Sequence, residues 1–156
     1  MTDKSAFSNG EWYLLVRLPR WVALAASAAE ADSPLRTAAE KDAGLIAIAN
    51  GRGFGNRLVE TLAHQLLDEF DEPDAADSRI DFKKAAAGVA AVLERARTAA
   101  NVLAEKADPT ETAAYRRWLL SITDTVVGVA RSGAFQGGVS EAERRFRENL
   151  AQSLGG

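Results

Sequence analysis

Apolar residues recur every three or four positions along most of the chain, which is the spacing of an α-helix with one buried face. Glycine, proline and acidic residues separate these periodic stretches and are typical of turns. With cap residues included, the pattern predicts six helices: Gly10 to Ala29, Ser33 to Asn50, Asn56 to Phe70, Ser78 to Leu103, Asp108 to Val129 and Ser140 to Leu154.

The predicted fold class is all-α, because β-branched residues are too dispersed to form strands. Short connections favour antiparallel neighbours in helical bundles. We therefore expect an antiparallel bundle of four main helices plus one or two short helices, the third and the sixth. The length of 156 residues suits a single domain over residues 1–156, in which residues 1–9 are a flexible tail.

The same spacing predicts which side chains face the core. The inward positions are Trp12, Leu15, Leu18, Val22 and Ala25 in the first helix; Leu35, Ala38, Ala39, Ile46 and Ala49 in the second; Leu58, Val59, Leu62, Leu66 and Phe70 in the third; Phe82, Ala86, Val89, Leu93, Ala96, Ala100 and Leu103 in the fourth; Tyr115, Trp118, Leu119, Ile122, Val126 and Val129 in the fifth; and Ala142, Phe146, Leu150 and Leu154 in the sixth.

Several helix starts carry capping residues. Asp108 and Glu111, with Pro109 between them, are spaced as a reciprocal capping box, and Ser140 with Glu143 repeats that spacing. Ser78 with Asp81 is a variant of the same box. Inside the first helix, Pro19 lacks an N–H and clashes with the preceding turn, so we expect it to kink or split that helix.

Composition narrows the possible functions. The chain has no cysteine, which excludes disulfides, thiolate metal sites and cysteine nucleophiles. A net charge of −3 gives no sign of the basic face that nucleic-acid binding requires. The apolar stretch from Trp12 to Ala29 is interrupted by Arg17, Pro19 and Arg20, and no basic leader precedes it. We therefore expect neither a membrane anchor nor a signal peptide, and a cytoplasmic protein.

Two glycine-rich loops are candidate ligand sites. In the loop from Asn50 to Arg57, backbone N–H groups and the following helix N-terminus could bind a small anion, with Arg52 and Arg57 as its clamp. Arg131, before the second glycine-rich loop, could contribute to a shared pocket. The alternative is a plain helix–helix turn, whose glycines adopt positive φ and whose Phe54 packs against the core.

Catalytic and metal constellations are not apparent in the sequence. His64 is the sole histidine, and its helical position places it away from the inward Leu62 and Leu66. Acidic residues lie in loops and on polar faces, where no pair suits acid–base work. We predict no catalytic residues, no metal and no cofactor.

The first helix concentrates aromatic residues, a class that is enriched at protein interfaces. Trp12, Tyr13 and Trp21 therefore form a candidate interface for a second subunit or a partner protein. The alternative is that Trp12 completes the core of the monomer while Trp21 is half exposed.

The segment from Val129 to Glu143 resembles the C-terminal part of a group of small prokaryotic all-helical proteins with no established activity. Both have a turn rich in glycine and phenylalanine before a Val-Ser-x-Ala-Glu helix start, here Val139 to Glu143. The opening Trp12 to Leu15, followed by Leu18-Pro19, is also similar, whereas the glycine turn is shorter here. The resemblance covers the two ends of the chain and implies a helical fold and a bacterial or archaeal cytoplasm.

Three functions remain open from the sequence. The first is a non-enzymatic protein that acts through self-association, as a homo-oligomer, or through a protein partner. The second is a binding module for a small anionic ligand at Arg52, Arg57 and Arg131. The third is an enzyme whose active-site groups come together only in the folded chain.

Overall fold

The computed structural model describes residues 3–28, 34–70, 72–74, 79–128 and 141–155, with the side chains of residues 34–41 outside that description. Over these ranges the chain forms helices packed against one another and no strand, so the predicted all-α class is confirmed. The helices are α1 (Asn9–Ala28), α2 (Pro34–Ala49), α3 (Arg57–Asp68), α4 (Ala85–Lys106), α5 (Pro109–Gly128) and α6 (Glu141–Ser153).

The lengths of the helices agree with the predicted division into long and short elements. α3 has 12 residues and α6 has 13. The other helices have between 16 and 22 residues. The antiparallel order of neighbouring helices stays a prediction.

Helix α1 lies at the centre of the molecule, since it packs against α2, α3, α4 and α5. Its five predicted core residues, Trp12, Leu15, Leu18, Val22 and Ala25, are all buried. The α5 stripe from Tyr115 to Val126 is likewise buried. The inward predictions for Ala86 of α4 and Ala142 of α6 are wrong, because both residues are exposed.

The orientation of α2 differs from the prediction, because Ile46 is 60% exposed while Ala47 and Ile48 are buried. A Cβ placed on Gly44 would lie 3.1 Å from the Cβ of Ala23 and 3.3 Å from a methyl of Val126. Because glycine has no side chain, α2 can approach both α1 and α5 closely at Gly44. Since Ala47 and Ile48 lie one turn beyond Gly44, they follow it into the core, and Ile46 turns outward.

Pro19 lies inside α1 without splitting it, which corrects that part of the prediction. A helical residue at this position would donate its N–H to the carbonyl of Leu15, four residues earlier. Pro19 has no N–H to give. The hydroxyl of Tyr115, from α5, donates to that carbonyl at 2.9 Å. The hydrogen bond lost within α1 is thus replaced from a neighbouring helix.

Reciprocal capping boxes account for two of the helix starts. The amide of Glu111 donates to Asp108 Oδ1 at 2.8 Å, and the amide of Asp108 donates to Glu111 Oε1 at 3.2 Å, which confirms the predicted box. Ser8 and Glu11 make an equivalent pair before α1. Asp81 does not start α4. Its carboxylate accepts from the amide of Lys83 within the preceding loop. Ser78 and Ser140 lie outside the described residues.

The N-terminal segment is more than the predicted tail. Residues Lys4–Ala6 form a 3-10 turn, and Phe7 is buried. The ring of Phe7 lies 5.8 Å from that of Trp12, centre to centre. The prediction of a flexible tail over residues 1–9 is therefore wrong at Phe7, which packs in the core.

Candidate functional site

The predicted aromatic interface does not form on the surface of this chain. Trp12 is 3% exposed and Trp21 is 1% exposed, while Tyr13 is half-buried. The indole of Trp12 donates to Gln65 Oε1 at 2.8 Å, and that of Trp21 donates to Asp74 Oδ2 at 2.9 Å. Helices α3 and α4 and the segment before α4 already cover α1, so these tryptophans belong to the core and not to an interface.

A buried ion pair that the sequence did not reveal lies beside Trp21. Arg17 is 2% exposed, and its Nη1 lies 3.3 Å from Asp74 Oδ1. The same nitrogen donates to the carbonyl of Glu72 at 3.2 Å, and the guanidinium lies 5.5 Å from the centre of the Tyr13 ring. These contacts hold residues 72–74 against α1. We assign this cluster a structural role.

A cleft of about 370 Å³ opens next to this ion pair. Its lining includes the aromatic rings of Trp12 and Tyr13 and the charged groups Arg17, Glu69 and Glu72. Glu69 Oε2 lies 3.8 Å from Arg17 Nη2, so cation and anion compensate each other within the protein. The cleft therefore does not present one sign of charge to a ligand.

The loop predicted as an anion site is built as a turn. Asn50–Gly53 form a 3-10 turn, Gly55 has a φ of 78°, and Asn56 caps α3. Gly55 alone among the loop glycines needs the left-handed region, which corrects the expectation of several such glycines. A Cβ on Gly51 would meet the indole of Trp118 at 2.7 Å, so close packing explains that glycine.

Several donors of this loop and of the helix start that follows it are already engaged. The amide of Gly55 donates to Glu60 Oε2 at 3.1 Å, and the amide of Val59 donates to Asn56 Oδ1 at 3.3 Å. Arg52 is exposed, and its Nε donates to the carbonyl of Ala49 at 3.2 Å. Arg57 is exposed as well. The carboxylate of Glu60 thus occupies the position in which an anion would be expected.

The other loop features agree with the alternative of a packed turn. Phe54 packs against the hydrophobic core, with the guanidinium of Arg117 6.0 Å from its ring centre. Arg131 and the second glycine-rich loop lie outside the described residues, so the shared pocket stays a prediction.

His64 is exposed on α3, as its position on the helix predicts. Within the described ranges, no three histidine or acidic side chains are grouped as a metal site would need. In the same part of the chain, no helix combines the length and the apolarity required to cross a bilayer.

The exposed apolar surface lies on α2 instead of α1. Leu45 is 38% exposed and Ile46 is 60% exposed, and they are the large hydrophobic residues exposed among the described ones. Leu45 borders a groove of about 260 Å³ between α1 and α2, which we call the α1–α2 groove. Its apolar lining is Ala23, Leu24, Leu45, Ile48 and Phe70.

Two charged side chains of opposite sign also line the α1–α2 groove, Arg20 from α1 and Asp42 from α2. Arg20 Nη1 donates to the carbonyl of Glu72 at 3.2 Å, and its guanidinium lies 5.2 Å from the centre of the Phe70 ring. Asp42 is exposed. The groove thus combines an apolar floor with one fixed cation and one exposed anion.

The sequence held a signal for this surface. The run from Gly44 to Ala49 is apolar at every position, so it has apolar side chains around its whole circumference. One core contact cannot bury all of them.

A comparison of the chain with protein-family models, with curated proteins and with solved structures finds no match.

Proposed function

We propose that this chain is a non-enzymatic helical protein that acts by self-association, and that the contact surface is the α1–α2 groove with the adjoining Ile46. The observation that carries the proposal is the exposure of two neighbouring large aliphatic side chains, Leu45 and Ile46, beside an apolar groove. Contiguous exposed apolar patches mark sites of protein interaction, whereas isolated exposed residues do not.

The energetic reason is the removal of apolar surface from water. Complete burial of a leucine or isoleucine side chain contributes about 1.5–3 kcal/mol. Packing of α2 through Gly44 leaves Ile46 without this contribution in the single chain. A second protein surface laid over α2 would supply it. This proposal places the association in the cytoplasm, since a chain without cysteine needs no oxidising compartment.

The rival function, binding of a small anion by Arg52 and Arg57, has less support. The amide of Gly55 in that loop and the amide of Val59 in the first turn of α3 already donate to side chains of the protein itself. The described residues, in contrast, leave Leu45 and Ile46 of α2 exposed.

The proposal is tested by sedimentation velocity over a range of protein concentrations. We expect the wild-type mass to rise with concentration above the 16.7 kDa of one chain. Ile46→Glu adds a charge that burial would penalise, so it should abolish the rise. Ala90→Glu, on an exposed position of α4, adds the same charge elsewhere and should leave the association intact. A wild-type mass of one chain at every concentration would refute self-association.

A further inference from the structure

We infer that the α1–α2 groove binds a second copy of this chain across a two-fold axis, with Arg20 of each copy facing Asp42 of the other. This inference rests on the proposed self-association and specifies its geometry. It names the partner, the symmetry and the charged contacts, none of which follows from exposed apolar surface alone.

The argument begins with the symmetry of homodimers. A two-fold interface uses the same patch on both subunits, so if one residue contacts a second, the second contacts the first across the axis. Such a patch must be complementary to itself. A groove lined by charges of a single sign would repel its own copy.

The charges of the α1–α2 groove meet this requirement. Arg20 and Asp42 line the same groove on two different helices, which provides one cation and one anion. In a two-fold arrangement their contact forms twice, once on each side of the axis. Among the ion pairs of the described residues, none joins Arg20 to Asp42 of the same chain.

Arg20 is also positioned in advance. The carbonyl of Glu72 accepts one hydrogen bond from Nη1, and the guanidinium lies against the Phe70 ring. A guanidinium carries five N–H donors, so donors remain for a carboxylate of the second copy. Because the side chain is already ordered, less entropy is lost when the intermolecular contact forms.

The floor of the groove provides the apolar part of the interface. Leu24, Leu45, Ile48 and Phe70 line the groove, and Ile46 is exposed next to Leu45 on α2. Protein interfaces usually have an apolar centre and a polar or charged rim. We therefore expect the apolar contacts to supply affinity and the reciprocal ion pairs to fix the orientation.

The experiment uses charge reversal in the full chain. Arg20→Glu places two carboxylates against each other at both contacts of a homodimer, and Asp42→Arg places two guanidinium groups there. Each variant alone should dimerise at least tenfold more weakly than the wild type. A 1:1 mixture should form a heterodimer of wild-type strength, because both contacts then have opposite charges again. Native mass spectrometry separates homodimers from heterodimers.

The mixture also serves as the folding control, since a variant that fails to fold cannot be rescued by the other one. Arg97→Glu, which reverses an exposed charge on α4, should not alter dimerisation. If the wild type associates but both reversals dimerise normally, or if the mixture stays monomeric, the two-fold arrangement is overturned while self-association stands. If the wild type is monomeric throughout, the proposed function fails together with this inference.

Discussion

The hydroxyl of Tyr115 donates to the carbonyl of Leu15 at 2.9 Å, and this hydrogen bond spans one hundred positions of sequence. Both residues are 0% exposed. The carbonyl would be orphaned without it, because Pro19 cannot donate the helical hydrogen bond. A buried, unpaired carbonyl costs about 1–3 kcal/mol. The hydrogen bond from Tyr115 therefore offsets the destabilising effect of Pro19 on α1.

Replacement of Tyr115 by phenylalanine tests this pair. Tyr115→Phe keeps the ring but removes the donor, so we expect the free energy of unfolding to fall by about 1–3 kcal/mol. In a Pro19→Ala background the restored N–H can bond to the Leu15 carbonyl, so the same change should cost clearly less. Urea denaturation of the four proteins gives the coupling energy. Equal costs in both backgrounds would contradict the assignment.

Burial also raises the pKa of the Tyr115 phenol well above its ordinary value of 10.0. The unfolded chain therefore loses this proton near pH 10, while the folded chain keeps it. The contribution of the neutral phenol is complete below pH 10 and is lost as the pH rises above it, by about 1.4 kcal/mol per pH unit at most. Denaturation at pH 9 and pH 11 should show a smaller loss in Tyr115→Phe than in the wild type. Identical losses would exclude Tyr115 as the titrating group.

The ion pair between Arg17 and Asp74 predicts an asymmetry between its two partners. Asp74→Ala leaves a cation that is 2% exposed with only the more distant carboxylate of Glu69, at 3.8 Å. Since removal of one partner of a buried pair costs about 3–5 kcal/mol, we expect a cost towards the lower end of that range. Arg17→Met replaces the cation by an apolar chain of similar length and leaves Asp74 at 13% exposure, so it should cost less. Thermal or urea unfolding of both variants decides the order. The reverse order would show that the cation is not effectively buried.

Two glycines of one turn provide a matched comparison. Gly51→Ala places a methyl group 2.7 Å from the indole of Trp118, a large buried side chain that cannot easily move. Overpacking of this kind costs about 1–3 kcal/mol. Gly53→Ala has nothing within 4 Å of the new Cβ and no positive φ, so its stability should stay within about 0.5 kcal/mol of the wild type. A similar effect at both positions would rule out the steric explanation.

The helical pattern predicted most of the fold because it depends on local spacing. In α1 and α5 apolar positions recur with the period of one helical face, so the central stripe of each helix was assigned correctly, whereas the burial of Arg17 and Trp21 was not predicted. In α2 the run from Gly44 to Ala49 is apolar on every side, and periodicity then says nothing about rotation. The close approach at Gly44, which depends on the neighbouring helices, decides that Ile46 faces outward.

The candidate site was harder to predict than the helices, because it depends on contacts between residues that are far apart in the sequence. Arg17 and Asp74 are separated by 57 positions, and no local pattern connects a helical arginine with an acidic loop residue. In the same way, Arg52 and Gly55 suggested an anion site, whereas Glu60 of the protein itself supplies the carboxylate. The apolar run from Gly44 to Ala49 indicated exposed apolar surface on α2, but the charges of the α1–α2 groove could not be recognised, because Arg20 and Asp42 come from different helices.

The bond between Tyr115 and Leu15 also imposes an order on biosynthesis. N-terminal segments are the first to leave the ribosome. Helix α1 emerges with a gap in its hydrogen bonding at Pro19, and the residue that closes this gap is translated one hundred codons later. Water must satisfy the Leu15 carbonyl until α5 arrives. The central helix of the fold is thus synthesised well before the residue that completes its hydrogen bonding.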